Sequence, residues 1–293
     1  MRLKTLGVAV LAAVLGAGAA PRTAAQNPDT MMPEASAAKA RELLQQMTAA
    51  LGGPAYLGVR ESVCDGRLAQ FDHNGELTGY ATFKDYWRYP DKNRTEYTKK
   101  GNFVELFAGD AGWSLDKGGV SEQPATAVTD FQEQVKRDMD TLLRLRLKEE
   151  GMVFRYGGSD IVDLAEVDWV EIVDLERRTF RIAINRATHL PMRSVVITRN
   201  DMTRERTEEL TTYSNFHVID GVQSPKQVAR ERDGRRIYQA FYFDCSYNPK
   251  IADELFTRAS LDKQWAAMAK KKKGKHESEK SWDKDKEKEK DKP

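Results

Sequence analysis

The stretch YPDKNRTEY, residues 89–97, interrupts a run of strand-forming residues with a turn. Pro90 has no amide hydrogen to donate to a neighbouring strand, so residues 90–93 are predicted to form a turn or bend. Strand-forming residues lie on both sides, with Phe83 to Tyr89 before the turn and Arg94 to Tyr97 after it. The stretch therefore predicts a hairpin, which by itself indicates no function.

Other short turns divide most of the remaining chain into strands, for example HNGE, LDKGG, NRATHLP, IDGVQSP and RDGR. Turns of about two to five residues join antiparallel neighbours rather than parallel crossovers. In the segment RTFRIAIN, the apolar Phe180, Ile182 and Ile184 alternate with other residues, as in a strand with one buried face. We predict an α+β fold with one large, curved antiparallel sheet, an open half-barrel.

Two segments instead show helical spacing of apolar residues, residues 36–51 and residues 126–150, and each is followed by glycine. The two apolar stripes consist of Ala40, Leu43, Leu44, Met47 and Leu51, and of Val128, Phe131, Val135, Met139, Leu142 and Leu143. An amphipathic helix needs an apolar surface to cover. We therefore predict that both helices cover the concave face of the sheet.

The two ends of the chain differ from its middle. Residues 1–25 combine Arg2 and Lys4 with an apolar run and a small-residue site, which predicts a secretory signal peptide cut after Ala25. Residues 270–293 hold 11 Lys and 7 acidic residues and predict a disordered tail. Between them we predict a flexible segment, residues 26–35, and a single domain, residues 36–269. The protein is then exported, and periplasmic in a bacterium.

The charge balance argues against a nucleic-acid partner. Removing the tail's net charge of +4 and the leader's +3 from the overall +2 leaves about −5 on the folded body. A folded domain with a net negative charge binds the phosphate backbone of a nucleic acid poorly. The lysines at 270–273 would give the tail at most a weak contact with an anionic membrane surface, since acidic residues are interleaved after them.

The sequence does not decide whether its two cysteines, Cys64 and Cys245, form a disulfide. An exported chain can form one. However, Cys245 is in phase with the apolar Phe241 and Phe243, whereas Cys64 is in phase with polar residues. The pairing would require a β-bulge, for which Gly66 is the candidate position.

The sequence contains no catalytic constellation and predicts no enzyme, no metal and no cofactor. None of the four histidines has a partner at the spacing of metal ligands. The sequence has neither a nucleophile-elbow motif nor a glycine-rich phosphate loop.

The order of the segments resembles the LolA-like superfamily of periplasmic lipoprotein carriers, which includes LppX-type lipid-binding lipoproteins and RseB-like sensor domains. The pattern is an aromatic strand, a proline turn, a short strand, and a hydrophobic strand leading to a glycine and then a tryptophan. The residues that match are Trp87, Pro90, Arg94, Gly109 and Trp113. The resemblance covers about residues 36–257.

This resemblance implies a half-barrel whose apolar hollow holds an acyl chain, a lipid or an acylated protein. An envelope sensor or protein-interaction domain, with an envelope protein as partner and no lipid, is the alternative. The cavity candidates are Trp87, Trp113, Phe131, Val135, Met139, Leu142, Trp169 and Phe180. Each of them also has a simpler interpretation as a core residue.

One position departs from the superfamily's pattern. Its lipoprotein carriers have an arginine immediately before the turn proline, where this chain has Tyr89, and the nearest arginine is Arg88. A shift of one residue along a strand places a side chain on the opposite face. The departure argues against dedicated lipoprotein transfer and leaves lipid binding open.

Overall fold

A computed structural model describes residues 28–98, 101–200 and 202–270 of the protein. The predicted signal peptide, residues 1–25, and the predicted tail after Lys270 lie outside the described residues. Within those ranges, thirteen antiparallel strands form one open sheet that does not close into a barrel, accompanied by a few helices. The predicted α+β class and open antiparallel sheet are confirmed.

The elements follow the turns that the sequence contains. The strands are β1 Glu61–Phe71, β2 Leu77–Arg88, β3 Lys92–Tyr97, β4 Phe103–Ala108, β5 Ala111–Asp116, β6 Gly119–Glu122, β7 Val153–Val162, β8 Ala165–Val173, β9 Thr179–Asn185, β10 Pro191–Arg199, β11 Arg206–Ile219, β12 Val222–Arg232 and β13 Arg235–Tyr247. The helices are α1 Pro33–Ala50, α2 Pro54–Leu57, α3 Ala125–Arg137 and α4 Met139–Thr141, which continues into a π-helical turn, Leu142–Arg146. Helix α5 covers residues 258–270, after the 3-10 turn Asp253–Phe256.

The strand order divides the sheet into two arms. Strands β1 to β6 form the first arm and β7 to β13 the second, and within each arm sequential strands are neighbours. The two arms join where the first strand, β1, pairs with the last, β13. This junction is the one place among the described strands where distant parts of the chain pair.

The side of the sheet that carries α1 and α3 is called the inner face here, and the other side the outer face. Beneath α1, the inner face of β7 to β10 is solidly packed, and we call it the filled region. Phe180, Ile182 and Ile184 of β9 are at most 2% exposed there, and Leu43 and Met47 of α1 pack on the same cluster. The alternation predicted for RTFRIAIN and the helical stripe of α1 are both confirmed.

The second predicted helix, residues 126–150, is wrong as a single helix. Helix α3 ends at Arg137, and Asp138 has an extended backbone with ψ of 134°. The Asp138 carboxylate accepts hydrogen bonds from the backbone amide (2.9 Å) and the hydroxyl of Thr141, and so caps the short α4. An aspartate that bonds a backbone amide in this way competes with continuation of the preceding helix.

Helix α5 was not predicted, and it covers the outer face of the first arm. Leu261 is fully buried against Val104, Leu106 and Leu115 of β4 and β5. Helices therefore lie on both faces of the sheet, and not only on the concave one as the sequence suggested.

A buried arginine attaches α5 to the sheet. Arg94 of β3 is 2% exposed and donates hydrogen bonds to the Leu255 carbonyl, the Ser260 hydroxyl and the Gln264 side chain. It also forms an ion pair with Glu96 (2.8 Å). Its burial is supported because its donors are satisfied by these partners.

Cys64 and Cys245 form a disulfide at the junction of the two arms. The register shifts between Asp65 and Gly66, which leaves Phe243 of β13 without a partner on β1. This bulge turns Cys245 away from the side of Phe243 and places it opposite Cys64. A Cβ at Gly66 would lie 2.3 Å from the Phe241 carbonyl oxygen, so the bulge requires glycine.

Candidate ligand-binding cavity

A cavity of about 450 Å³ lies on the inner face beside the filled region. Its walls come from β1 to β4 of the first arm and β11 to β13 of the second, and α3 and α4 cover it. Its volume is within the range of about 300–1,000 Å³ that is usual for small-molecule sites. The cavity lies across the junction of the arms, and both cysteines of the disulfide line it.

Aromatic rings form the apolar part of the cavity near α3. The Phe131 ring stacks on Phe107 of β4, with ring centroids 4.5 Å apart, and on Trp87 of β2 at 5.9 Å. Trp87 stacks in turn on Tyr89 at 5.6 Å. These contacts are ring against ring, and the continuous core cluster beneath α1 contains no residue of α3.

Polar contacts attach α3 to the second arm. Glu133 pairs with Arg178 at 2.8 Å, and Arg137 pairs with Glu209 at 3.4 Å. Arg178 and Glu209 are buried, so each of these pairs joins α3 to an interior group of the second arm. Helix α3 is therefore joined to the rest of the protein by stacked rings, by the buried Val128 and Val135, by ion pairs and by a hydrogen bond from Gln132 to the Gly109 carbonyl (3.1 Å). The helix is interrupted at Asp138.

Six of the ten tyrosines line the cavity, which makes its surface amphipathic. They are Tyr89, Tyr97, Tyr213, Tyr238, Tyr242 and Tyr247. Burial raises the pKa of Tyr89, Tyr97, Tyr213, Tyr242 and Tyr247, so these phenols stay neutral.

Some of the tyrosine hydroxyls are satisfied within the protein. Tyr97 donates to Glu105 (3.0 Å), and Tyr213 and Tyr247 pair with serine hydroxyls. Within the described residues, no hydrogen-bond partner is found for the hydroxyls of Tyr89, Tyr238 and Tyr242. Those three hydroxyls are free to bond a ligand.

Asp85 presents a carboxylate to the cavity on the side of the first arm. It accepts hydrogen bonds from Trp87 Nε1 (2.6 Å), Asn93 Nδ2 (2.7 Å) and Thr95 Oγ1 (2.7 Å). Burial raises the pKa of Asp85 above its ordinary value, although these three hydrogen bonds oppose the change. All three donors are neutral, so these hydrogen bonds stabilise the Asp85 carboxylate without supplying a positive charge.

Positively and negatively charged groups lie on the side of the cavity opposite Asp85, near α4. Asp138 and Asp140 line the cavity, and burial, followed by repulsion from Asp140, raises the pKa of Asp138. Arg144 pairs with Asp140 at 3.2 Å, and its guanidinium lies over the Tyr56 and Tyr89 rings. This side of the cavity is therefore polar, whereas the side near Phe131 is apolar.

The structure separates the eight predicted cavity residues into three groups. Trp87, Phe131 and Met139 line the cavity. The buried residues Val135, Leu142 and Phe180 face the same side of the sheet without lining it, and the latter two belong to the core cluster beneath α1. Trp113 and Trp169 lie on the outer face, in separate clusters. Direct contact of any of them with a ligand remains a prediction.

The residues around the proline turn lie on two different faces. Tyr89, which precedes Pro90, lines the cavity. Arg88 instead points to the outer face, where it pairs with Glu61 (2.6 Å) and Asp253 and donates to the Ile251 carbonyl (2.7 Å). Arg94 also lies on the outer face, under α5. Neither arginine reaches the cavity.

Sequence reasoning missed the polar residues of the cavity, above all Asp85 and Arg230. Asp85 belongs to the alternation Phe83, Asp85, Trp87, in which a charged residue shares the face of two aromatic ones. Arg230 occupies the corresponding inner position after Val228. A charged residue in phase with an apolar face was the feature in the sequence that could have revealed both.

The described part of the chain contains no cluster of three or more potential metal ligands. Among the helices of the described residues, none has the length and apolar character required to cross a membrane.

The fold is similar to solved structures. A DUF1329 family protein from Desulfovibrio piger matches with a TM-score of 0.55 and 13% identity, covering 77% of this chain and 99% of that one. A LolA superfamily protein from Nitrosomonas europaea matches at 0.47 and 12%, with the same coverages. An outer membrane lipoprotein-sorting protein domain from Vibrio parahaemolyticus matches at 0.48 and 13%, again over 77% and 99%.

These similarities are likenesses of fold, since all identities are below 15%. The names of the matched structures include the superfamily that the sequence resembles. No protein-family model and no curated protein sequence matches the chain.

Proposed function

We propose that this protein is a non-enzymatic binding protein that holds the acyl chain of a lipid or of an acylated protein in the inner-face cavity. The observation that carries the proposal is the 450 Å³ cavity, which has stacked rings on one side and a helical cover. Burying an acyl chain contributes about 0.8 kcal/mol per methylene, without any directional chemistry. A fold similar to those of proteins named for lipoprotein sorting is consistent with this role.

Ligand entry requires that the cover can move. Helix α3 meets the requirement because none of its residues belongs to the core cluster beneath α1, and because Asp138 interrupts the helix beside the cavity. We propose that α3 is displaced while α4, whose neighbours Leu142 and Leu143 belong to the core, stays in place.

We place this function outside the cytoplasm. The apolar leader predicted at residues 1–25 supports export, and a Cys64–Cys245 disulfide persists in oxidising compartments. N-terminal sequencing of the mature protein should begin near Gln26. Recovery of an integral membrane form that still begins with Met1 would contradict this placement.

A matched pair of variants tests lipid binding. Ala240 of β13 faces the cavity, and so does Val228, its partner on the neighbouring β12. Ala229 follows Val228 and therefore lies on the outer face. Ala240→Phe should reduce uptake of a fluorescent acyl-chain probe, and Ala229→Phe should leave it unchanged. Thermal unfolding of both variants controls for loss of fold.

A second measurement is mass spectrometry of organic extracts from the purified protein. Co-purified lipid that decreases in Ala240→Phe would support the proposal. No lipid in the extract and no probe uptake by the wild-type protein would overturn it, and would favour the alternative of a protein-interaction or sensor domain.

A further inference from the structure

Arg230 differs from Arg137 and Arg144 beside the cavity because it forms no ion pair within the described protein, whereas those two pair with Glu209 and Asp140. It lies on β12 opposite Tyr238 of β13, with its guanidinium 5.4 Å from the centre of that ring. Its Nε is inaccessible to solvent and has no hydrogen-bond partner among the described residues. Its remaining N–H groups also form no hydrogen bond or ion pair with those residues, although the side chain lines the cavity.

The carboxylates near Arg230 are engaged elsewhere. Glu209 is paired with Arg232 (2.7 Å) and with Arg137 (3.4 Å). Asp138 accepts the hydrogen bond from the backbone amide that opens α4, at 2.9 Å. Glu209 is therefore shared by two other guanidinium groups, and Arg230 forms no ion pair among the described residues.

The Arg230 guanidinium stays charged in the folded protein. Burial lowers its pKa, but the neighbouring Tyr238, Tyr213, Glu209 and Asp138 raise it by more. A half-buried cation without an ion-pair partner is unfavourable, and a ligand anion would reduce that penalty. The hydroxyl of Tyr238, which has no hydrogen-bond partner in the described part of the chain, adds a donor beside the guanidinium.

We infer that Arg230 binds the anionic end of the ligand, a carboxylate or a phosphate, while the attached acyl chain extends toward the rings around Phe131. The inference rests on the proposed function and specifies its ligand class, an anionic amphiphile. A guanidinium presents paired N–H groups that match the oxygens of either anion, which an ammonium group cannot do.

The test uses three ligands with the same sixteen-carbon chain, hexadecanoic acid, hexadecyl phosphate and hexadecanol, each below the concentration at which it aggregates. Displacement of a bound fluorescent acyl probe gives their affinities. The variants are Arg230→Gln, Arg230→Lys, and the control Arg155→Gln, which removes an exposed arginine of β7 that does not line the cavity. Circular dichroism and thermal unfolding verify that each variant is folded.

We expect Arg230→Gln to weaken binding of the acid or the phosphate by about tenfold to a hundredfold, the range for loss of a hydrogen-bonded charged partner. Hexadecanol binding should change little, Arg230→Lys should restore part of the loss, and Arg155→Gln should resemble wild type. Whether the acid or the phosphate loses more affinity identifies the head group.

Two other results would overturn the inference in distinguishable ways. If wild type binds all three ligands equally, or if Arg230→Gln weakens all three alike, Arg230 does not recognise an anion, and the acyl-binding function stands. If no ligand binds to wild type, the proposed function fails as well.

Discussion

The filled region and the cavity lie side by side on one face of one sheet, yet one is packed solid and the other is hollow. Inner positions in the filled region hold isoleucine, valine and phenylalanine, which interlock with leucine and methionine of α1. Inner positions around the cavity hold tyrosines, Asp85 and Arg230. Hydroxyl and charged groups require hydrogen-bond partners or water, whereas apolar side chains close-pack, so the side-chain chemistry of the inner face decides where the sheet stays open.

The largest expected effect comes from a matched pair of phenylalanines. Phe180 of the filled region is 2% exposed, and Phe131 over the cavity is 8% exposed, so burial alone does not distinguish them. Phe180→Ala should lower the free energy of unfolding by about 3–5 kcal/mol, as for aromatic residues in close-packed cores. Phe131→Ala should cost clearly less, because its ring already borders open space. Equal losses in chemical denaturation would show that the region beneath α3 is packed as tightly as the core.

The next effect concerns the disulfide, which joins the two arms at the cavity wall. Replacing Cys64 and Cys245 together with alanine should cost about 2–5 kcal/mol, the usual range for loss of a native disulfide. The sequence contains no other cysteine, so dithiothreitol should destabilise wild type to the level of the variant and leave the variant unchanged. Retention of full stability by the variant would mean that packing alone holds the arms together.

A smaller effect is expected on the outer face, where Arg94 holds α5 against the first arm. Arg94→Ala should cost about 1.5–3 kcal/mol, because the hydrogen bonds that this charged donor makes to the Leu255 carbonyl and the Ser260 hydroxyl are lost. The control is Arg258→Ala, which removes an exposed ion pair with Glu122 and should change stability by less than about 1 kcal/mol. Urea titrations of the three proteins give the comparison, and a similar small loss in both variants would show that Arg94 is not needed to hold α5.

The smallest effect is a change in the pH dependence of stability at Asp85. Its pKa is higher in the folded than in the unfolded protein, so the folded state keeps the proton to higher pH. The stability that this provides is complete below the ordinary pKa of 3.8 and is lost as pH rises through the folded value. The stability of wild type relative to Asp85→Asn should therefore decrease as pH rises above about 4. If the stability of wild type relative to Asp85→Asn instead increased over that pH range, the pKa of Asp85 would not be raised in the folded protein.

Regular patterns in the sequence predicted most of the architecture. The turns separated the strands, and the spacing of Leu43, Leu44 and Met47 identified α1, because a helix that covers a core must present one continuous apolar face. The residues of α5 show the same feature, since Leu261, Trp265 and Met268 recur at helical spacing. The segment was missed because it precedes the charged tail.

Features that depend on a single local irregularity were harder to predict. The bulge at Gly66 reverses the phase of β13, so Cys245 could not be paired with Cys64 from alternation alone. The bend at Asp138 depends on whether that side chain bonds the backbone, which composition does not determine. Hydrophobicity also directs the search for a lipid site toward large apolar residues, which explains why Trp113 and Trp169 were proposed and Arg230 was overlooked.

The pairing of the first strand with the last also has a consequence for how the protein folds. Each arm is built from sequential strands, so each can form from contacts that are short in sequence. Strand β1, however, cannot find its second neighbour until β13 has been synthesised, since the cysteines that meet there are 181 residues apart. A chain that emerges with its amino terminus first must therefore keep an unpaired edge of β1 until almost the entire sheet exists. The wall that contains both cysteines is completed last, so the cavity forms only when the molecule is nearly whole.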